Sequence, residues 1–425
     1  IRLISGGLGG ALREVLMDPA ARLERIELDP EIIRLEREYV GLLDDPRVSV
    51  HATDGRRYVE QDGRRYDAIV MDVPAPTSLQ LNRFYTVEFF GHIKERLKPG
   101  GVFSFSLPGA ANYVGQELAA LYRVVSGAGL EVFDSAIAYP AGETVFAFSD
   151  SPLSYAVGDS LKSKGVDTRY VNAQYLRGIL TPDRIEWIRT YIDAGVPPNR
   201  DLYPHAFRSQ LRYRLSLFNL KTGWIFVVVT IAVVLFVVFL SPVQTAVATT
   251  GFVSIGTEIV ILFLLQIHAG YVYQRYGVVV TLFMSGLAMG GLASGQVLRV
   301  VGENRSRTVL LLVEAVLTGC TLLGATLTQW GDMWRNGMLL YFAVVGVSFL
   351  TGAEFPVAAM AGGRDVTRTA SALYTADLVG AAAGSLLCAL FLAPTLGIPA
   401  TLGLLGVMKL VSTTKVGCSS WGLKL

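Results

Sequence analysis

Long apolar runs fill the second half of this chain and constrain its fold more than any other feature. Seven such runs are Trp224–Leu240, Thr245–Ile267, Gly277–Leu298, Thr308–Gln329, Gly337–Met360, Ala372–Pro394 and the shorter Ile398–Val411. A helix needs about 20 apolar residues to cross a bilayer. Because the runs are too many and too long for a water-soluble core, we predict an all-α, multipass transmembrane bundle of about seven helices over residues 222–412. Residues 413–425 form a tail.

Acidic side chains interrupt these runs, at Glu258, Glu314, Glu354 and Asp377. An acid inside a bilayer is costly, so each one is a candidate functional residue. We expect Glu258, Glu354 and Asp377 to form a polar membrane site for a cation or a proton. Hydrogen bonding between helices is the alternative explanation.

Residues 1–149 have a different pattern, in which short apolar runs alternate with helix-forming segments. The predicted strands are Leu23–Leu28, Val48–Ala52, Ala68–Asp72 and Val102–Leu107, and a hairpin is predicted from Leu130–Tyr139 and Glu143–Ser149. The predicted helices are Pro30–Tyr39, Val87–Leu97 and a helix from a cap at Asn112 to about Ala128. This alternation predicts a doubly wound α/β sheet, mostly parallel, with an antiparallel edge. Residues 150–221 are polar and are assigned to an extension and linker.

A glycine-dense turn joins the first predicted strand to the first helix, and its residues are Gly6, Gly7, Leu8, Gly9 and Gly10. Glycines let a backbone approach a ligand closely, and the first turn of a helix offers free N–H groups. The turn therefore predicts a site for a nucleotide-type cofactor.

Three acids follow predicted strand ends, where ligands of such sheets bind. Glu27 has the spacing of an acid that holds ribose hydroxyls, although a solvated strand-end acid would look the same. Asp54, followed by Gly55, can accept from an adenine amino group or simply form a turn. Asp72 precedes a proline-stiffened loop, a position suited to catalysis.

Several motifs in this region carry a family resemblance. They are Ser5-Gly-Gly-Leu-Gly-Gly-Ala-Leu-Arg-Glu-Val-Leu, Ile26-Glu-Leu-Asp-Pro, Thr53-Asp-Gly-Arg, Ile69-Val-Met-Asp-Val-Pro and Phe84-Tyr-Thr-Val-Glu-Phe-Phe. Over about residues 1–149 the chain resembles the spermidine synthases, or polyamine aminopropyltransferases. Residues 245–397 resemble the membrane part of bacterial proteins that fuse such a domain to a multipass bundle.

The resemblance implies a methyltransferase-like (Rossmann-like) fold and decarboxylated S-adenosylmethionine, or S-adenosylmethionine, as the cofactor. The glycine turn, Glu27, Asp54 and Gly55 would bind it, and Asp72 would be the catalytic acid. A small amine such as putrescine would be the substrate. Tyr85 and Tyr139 are candidates for lining its site, with core packing as the alternative for each.

Two departures from the family pattern leave other functions open. Leu8 stands where the family has an aspartate in the glycine turn, and Ala75 replaces a second aspartate three residues after the catalytic one. Because buried ammonium groups need charged partners, these losses weaken the case for a diamine substrate. The alternatives are a methyltransferase of a small acceptor, and a polyamine transporter or sensor with a non-catalytic domain.

Charge and composition narrow the remaining partners. A formal net charge of +2 gives no electrostatic case for nucleic acid, and the four histidines and three cysteines show no metal-ligand spacing. Basic residues before Trp224 favour a bacterial inner-membrane protein whose first domain is cytoplasmic, although later arginines conflict with this orientation. The chain begins inside the first strand without Met, so we expect upstream residues to be missing. Homo-oligomer formation stays open.

Overall fold

Seven strands pair into one sheet in the first part of the chain. They are β1 (Arg2–Ser5), β2 (Leu23–Glu27), β3 (Val48–Ala52), β4 (Tyr66–Asp72), β5 (Leu97–Pro108), β6 (Ser135–Tyr139) and β7 (Glu143–Ser149). Their order is β3-β2-β1-β4-β5-β7-β6. Strands β1 to β5 run parallel, whereas β7 runs antiparallel to both β5 and β6. The predicted doubly wound, methyltransferase-like sheet with an antiparallel edge is confirmed.

The computed structural model describes residues 1–6, 10–109, 114–163, 171–192, 195–218, 239–270, 273–301, 305–330, 337–362 and 366–420, together with positions 165, 168, 227, 228 and 231. The chain divides into two compact units, Ile1–Leu220 and Lys221–Leu425.

Helices connect the strands of the first unit. They are α1 (Gly10–Leu16), α2 (Pro30–Tyr39), α3 (Gly55–Gln61), α4 (Leu79–Asn82), α5 (Val87–Glu95), α6 (Gln116–Leu130), α7 (Val157–Ser163), α8 (Ala173–Ile179), α9 (Pro182–Arg189) and α10 (His205–Leu217). Local sequence explains their starts. At α2, the Asp29 side chain accepts from the Glu31 backbone N–H, and Pro30 occupies the first helical turn.

Several predicted boundaries in this unit are wrong, including the start of β5, which lies at Leu97 and not at Val102. Helix α5 ends at Glu95, because Leu97 already belongs to β5. Helix α6 begins at Gln116 after Gly115, and the predicted cap, Asn112, lies outside the described residues. The same helix continues to Leu130. The Gly129 carbonyl then accepts from the backbone N–H groups of Val132 and Phe133, so these residues form a turn and not a strand. Strand β6 therefore starts only at Ser135.

The core of the first unit is aromatic. Phe90 of α5 packs on Phe103 of β5 with ring centroids 5.1 Å apart, and Phe105 stacks on Phe146 and Phe148 of β7 at 5.6 and 5.7 Å. All five rings are buried. This cluster fixes β5 against β7 and so holds the carboxyl end of β5 beside the start of β7.

The segment before α10 is tied into the first unit by polar contacts. The Asn199 side chain donates to the Tyr85 carbonyl at 2.8 Å, and Arg56 forms a two-bond ion pair with Asp201 at 2.7 and 2.6 Å. Because these groups are largely buried, the contacts hold the extension in place. They position α10 over the edge of the sheet described below.

Long helices make up the described part of the second unit. They are α11 (Pro242–Ala269), α12 (Tyr273–Val301), α13 (Ser306–Leu327), α14 (Met338–Ala361), α15 (Val366–Leu387), α16 (Ala393–Leu396) and α17 (Ile398–Ser420), with a π-helical turn at Cys388–Leu392. Five helices in the described residues are long and apolar enough to cross a membrane, which indicates a membrane protein.

The predicted number of seven spans is not reproduced in full. The run Trp224–Leu240 lies largely outside the described residues. The run Ile398–Val411 is part of α17, which is not among the five apolar helices, since polar residues including Lys409 and Lys415 lower its hydropathy. The other five runs correspond to the five candidate spans.

Candidate active site

The carboxyl ends of β1, β2 and β4 meet at one edge of the sheet. In the parallel pairing, Ser5 lies opposite Asp72, and Glu27 ends the neighbouring strand. Asp54 follows β3 two residues after its end and precedes α3. The three predicted acids therefore lie at the same edge, where ligands of such sheets bind.

A cavity of about 140 Å³ lies at this edge, and we name it the Glu27 cavity. Its wall includes Ser5, Glu27, Asp54, Gly55 and Arg83. The buried Glu27 carboxylate accepts from the Leu28 backbone N–H at 2.9 Å and from Arg25 Nη2 at 3.0 Å. The carboxylate is thus held in one orientation by its own strand, as a ribose-binding acid must be.

Asp54 is the N-cap of α3 and accepts from the Arg57 backbone N–H at 3.1 Å. Its carboxylate also forms an ion pair with Arg83, and both side chains are buried. Burial alone would raise the pKa of Asp54, but the charge and hydrogen bonds of Arg83, with smaller contributions from the Arg57 N–H and the Arg56 charge, lower it. Sequence analysis missed Arg83, whose only local signal is a cation directly before a buried aromatic pair.

The structure requires glycine at two positions near this edge, Gly6 of the predicted turn and Gly55. Gly6 has φ +118°, and a Cβ there would lie 3.4 Å from Asp72 Oδ2. Gly10 is the first residue of α1. At Gly55 a Cβ would lie 2.6 Å from Ile4 Cγ2, so the close packing of α3 on β1 requires glycine. The rest of the turn lies outside the described residues: Gly7, Leu8 and Gly9.

A second cavity, of about 420 Å³, opens beside the first, and we name it the Asp72 cavity. Asp72 lies in its wall. The two cavities share the residues that follow it, Val73 and Pro74. Asp72 therefore lines one cavity directly beside the two residues that both cavities share.

The electrostatic surroundings of Asp72 favour its protonated form more than water does. The side chain keeps an exposed face, yet partial burial raises its pKa, and the carboxylate of Glu143 raises it further. The guanidinium of Arg25 opposes both effects. A carboxylate with a raised pKa is a better proton acceptor near neutral pH.

Two residues that sequence analysis did not single out contribute to the Asp72 cavity. Glu143, at the start of β7, lies in the wall and accepts from Ser106 Oγ at 2.8 Å. Gln210 of α10 is only 2% exposed, and its Oε1 accepts no hydrogen bond within the described structure. Ala75, in the place of the family's second aspartate, also lines this cavity. Glu143 and Gln210 come from parts of the chain far from Asp72, so no local sequence spacing indicates them.

The two predicted substrate-binding tyrosines are not among the described residues that line either cavity. Tyr85 is fully buried, and its hydroxyl donates to the carbonyls of Val73 at 2.8 Å and Pro74 at 3.1 Å. Tyr139 donates to the Ser154 carbonyl at 3.2 Å. Tyr85 therefore holds the loop after Asp72 through these two hydrogen bonds. Tyr139 lies on the edge strand β6.

The predicted membrane acids separate into two groups. Glu354 and Asp377 line one cavity of the second unit, whereas Glu258 is not among its lining residues. Among the described residues, no cluster of three His, Cys, Asp or Glu side chains could hold a metal ion.

Comparison with known proteins agrees with this geometry. Residues 1–114 match the family model described as Spermine/spermidine synthase domain. A polyamine aminopropyltransferase of Korarchaeum cryptofilum is 36% identical over 107 residues, which are 24% of this chain and 33% of that protein. The corresponding protein of Pyrobaculum aerophilum is 28% identical over 194 residues, 42% of this chain and 65% of the relative.

A solved spermidine synthase from Thermotoga maritima is 23% identical, with a TM-score of 0.37, and the match covers 45% of this chain and 67% of that structure. The chain spans between about one third and two thirds of the length of the two aminopropyltransferases. These relatives bear the name of a transferase family. Residues 1–114 of this chain are thus similar to the spermidine synthase domain, and the similarity extends over part of the length of these relatives.

Proposed function

We propose that this chain is a membrane-anchored transferase that moves an aminopropyl group from decarboxylated S-adenosylmethionine to a small amine, as in polyamine biosynthesis. One observation carries the proposal. Asp72 lines the Asp72 cavity and directly precedes Val73 and Pro74, the two residues that line both cavities. A two-substrate displacement needs such a junction, because the reacting atoms must be held close together.

The residues of the Glu27 cavity fit such a donor. Carboxylates at strand ends accept hydrogen bonds from ribose hydroxyls, the role proposed for Glu27, and from an adenine amino group, the role proposed for Asp54. The cavity of about 140 Å³ is smaller than the roughly 300 Å³ at which small-molecule sites begin. Binding therefore requires its wall to move, and displacing Arg83 would free the Asp54 carboxylate. The donor supplies a sulfonium group, next to which a methylene is open to attack.

The Asp72 cavity is suited to the amine. Its carboxylates, Asp72 and Glu143, would attract an ammonium group, and Glu143 would replace the acid lost at Ala75. Asp72 accepts the proton that the amine nitrogen loses as that nitrogen bonds to carbon, while the C–S electron pair leaves with sulfur. The raised pKa of Asp72 supports this role as general base.

Methyl transfer from S-adenosylmethionine to another small acceptor is the second candidate. The observation behind it is Ala75, which places a methyl group in the cavity wall where the family has a carboxylate. A less acidic cavity suits a less cationic acceptor.

The deciding experiment uses the full-length protein purified in detergent. It is incubated with either donor and a panel of amines beginning with putrescine, and products are identified by mass spectrometry. We expect an amine that has gained one aminopropyl unit. Asp72→Asn should lower its rate by roughly 10²- to 10⁴-fold, the usual contribution of a general base, and leave donor binding unchanged.

Asp67→Asn is the matched control, because Asp67 is an exposed acid near the opposite end of the same strand. It should leave the rate unchanged. A methylated product formed only from S-adenosylmethionine would replace the proposal with its alternative. Binding of neither donor would contradict both.

We further propose that the bundle anchors the protein in a bacterial inner membrane with the first unit in the cytoplasm. The basic residues before the first apolar run support this orientation. Tyr39 is exposed, so Tyr39→Cys in a background without native cysteines provides a probe. An impermeant maleimide should label it in inverted vesicles and not in intact cells. The opposite pattern would reverse the orientation.

A further inference from the structure

A charged cluster lies inside the helical bundle of the second unit. Lys409 of α17 is 0% exposed, and its ammonium donates to Glu314 of α13 and to Thr250 of α11. It also lies 3.5 Å from Glu354 Oε2 of α14, which accepts from Thr250 Oγ1 at 2.5 Å. The cluster therefore joins four helices through one buried cation.

With every group ionised, the acids of this cluster outnumber its one cation. One ammonium faces the carboxylates of Glu314 and Glu354, and a third acid, Asp377 of α15, lies in the wall of the adjoining cavity. A buried carboxylate without a cation is strongly disfavoured in a medium of low dielectric constant. A positively charged ligand would restore the balance.

The cavity beside the cluster has a volume of about 290 Å³. Glu354 lines it and is 1% exposed, and its Oε1 accepts no hydrogen bond from any described backbone N–H, hydroxyl, amide or cationic side chain. Buried carboxylate oxygens normally have donors, so this unpaired oxygen indicates a missing one.

A proline adds a further acceptor to the same wall. Pro356 lies inside α14 and has no N–H, so the Gly352 carbonyl does not receive the hydrogen bond that a helix normally provides there. Gly352 lines the cavity together with Glu354 and Asp377. The residues that line the cavity thus include two acids and a glycine whose carbonyl lacks its usual helical donor.

The remaining wall selects the kind of cation. Val247, Leu287 and Phe355 give it an apolar surface, and Tyr374 closes part of it. No described cluster of three metal-binding side chains is present, and the volume far exceeds that of a bare ion. An aliphatic chain would contact the apolar wall while its ammonium bonds to the acids.

We propose that the Glu354–Asp377 cavity binds a small primary alkylammonium ion. Lys409 donates to Glu314 and contacts only Oε2 of Glu354, which leaves Glu354 Oε1 and the Asp377 carboxylate for the ligand. The site belongs to the second unit and does not rest on aminopropyl transfer by the first. It replaces the expected combination of Glu258, Glu354 and Asp377 with one from which Glu258 is absent.

Equilibrium binding of radiolabelled putrescine to the full-length protein in detergent tests this inference. Because the Asp72 cavity also attracts amines, the measurements use a background with Asp72→Asn and Glu143→Gln. In that background we expect one saturable site. Glu354→Gln keeps the shape of the side chain and removes its charge, and it should weaken binding at least tenfold; Asp377→Asn should also weaken it.

Glu258→Gln is the matched control, because Glu258 is an acid of the same bundle outside the cavity. It should change the affinity less than twofold. Size-exclusion chromatography and the melting temperature in detergent establish that the Glu354→Gln protein is folded. A folded variant with unchanged affinity, no saturable binding in the background protein, or binding that sodium abolishes and that butylamine does not would each overturn the proposal. Failure of aminopropyl transfer would leave it intact.

Discussion

The two units of this protein arrange apolar and charged residues in opposite ways. The first unit buries phenylalanine rings between its sheet and helices. In the second, Leu292 and Val300 are 73% and 86% exposed on the outer surface, while Lys409 and Glu314 are completely buried. In an apolar surrounding a helix must expose apolar side chains and bury charged ones, because leucine is stable among lipid tails and charge is not. Buried charge therefore has a different function in each unit.

In the first unit, buried charges form ion pairs within strands, between strands and between distant segments. Arg2 contacts Glu24 at 2.7 Å, and Arg25 contacts Glu27 at 3.0 Å. These pairs orient side chains at the edges of the sheet. In the second unit a single lysine links several helices and still leaves carboxylates in excess. We therefore expect the first unit to depend on apolar packing for stability, and the bundle to depend on its polar cluster and on close helix contacts.

Removal of the buried cation should have the largest effect on stability. Lys409→Met leaves Glu314 and Glu354 without their ammonium partner. Breaking such a buried pair costs about 3–5 kcal/mol, so we expect a large fall in the melting temperature in detergent. The double variant Lys409→Met/Glu314→Gln should recover part of the loss. If the single variant melted like the parent protein, the contrast between the units would be lost.

A close contact between two bundle helices should come next. At Gly290 of α12, a Cβ would lie 1.9 Å from the Phe349 carbonyl oxygen of α14. Because the obstacle is backbone, Gly290→Ala must separate the helices, at a cost of about 1–3 kcal/mol. Gly295→Ala on the same helix is the control, since no heavy atom lies within 4 Å of its Cβ position. Thermal unfolding in detergent measures both, and equal melting temperatures would contradict the packing argument.

The smallest expected effect is a shift of the pH–rate profile. It concerns Asp72 and Glu143, which are acids of the first unit and not of the bundle. The proposed mechanism requires the ionised form of Asp72, so its raised pKa should move the acidic limb of the pH–rate profile to higher pH than an ordinary aspartate would give. Glu143→Gln removes one negative neighbour. It should lower the pKa of Asp72 and move the limb to lower pH, although burial, the larger cause, stays. Asp67→Asn should leave the limb in place.

Sequence patterns predicted most of the fold because the signals are local. Alternating apolar runs, Asp29 before Pro30, and the acids at strand ends all act within a few residues. The prediction of the candidate site was less complete, because Arg83, Glu143 and Gln210 reach it through contacts between distant segments. In the bundle, hydropathy located the spans and their acids. It did not identify Lys409, because hydropathy treats a lysine only as a cost and does not show which carboxylates surround it.

The antiparallel direction of β7 has a consequence for the charge of the Asp72 cavity. Parallel strands present their carboxyl ends at the site, whereas β7 contributes Glu143 from its amino end, in register with Pro108. The tight connection between β6 and β7 fixes that register. Side chains alternate along a strand, so a slip of one residue would turn Glu143 to the opposite face of the sheet. The same slip would turn Phe146 and Phe148 away from Phe105, so the aromatic core that holds β7 in register also keeps the negative charge of Glu143 at the Asp72 cavity.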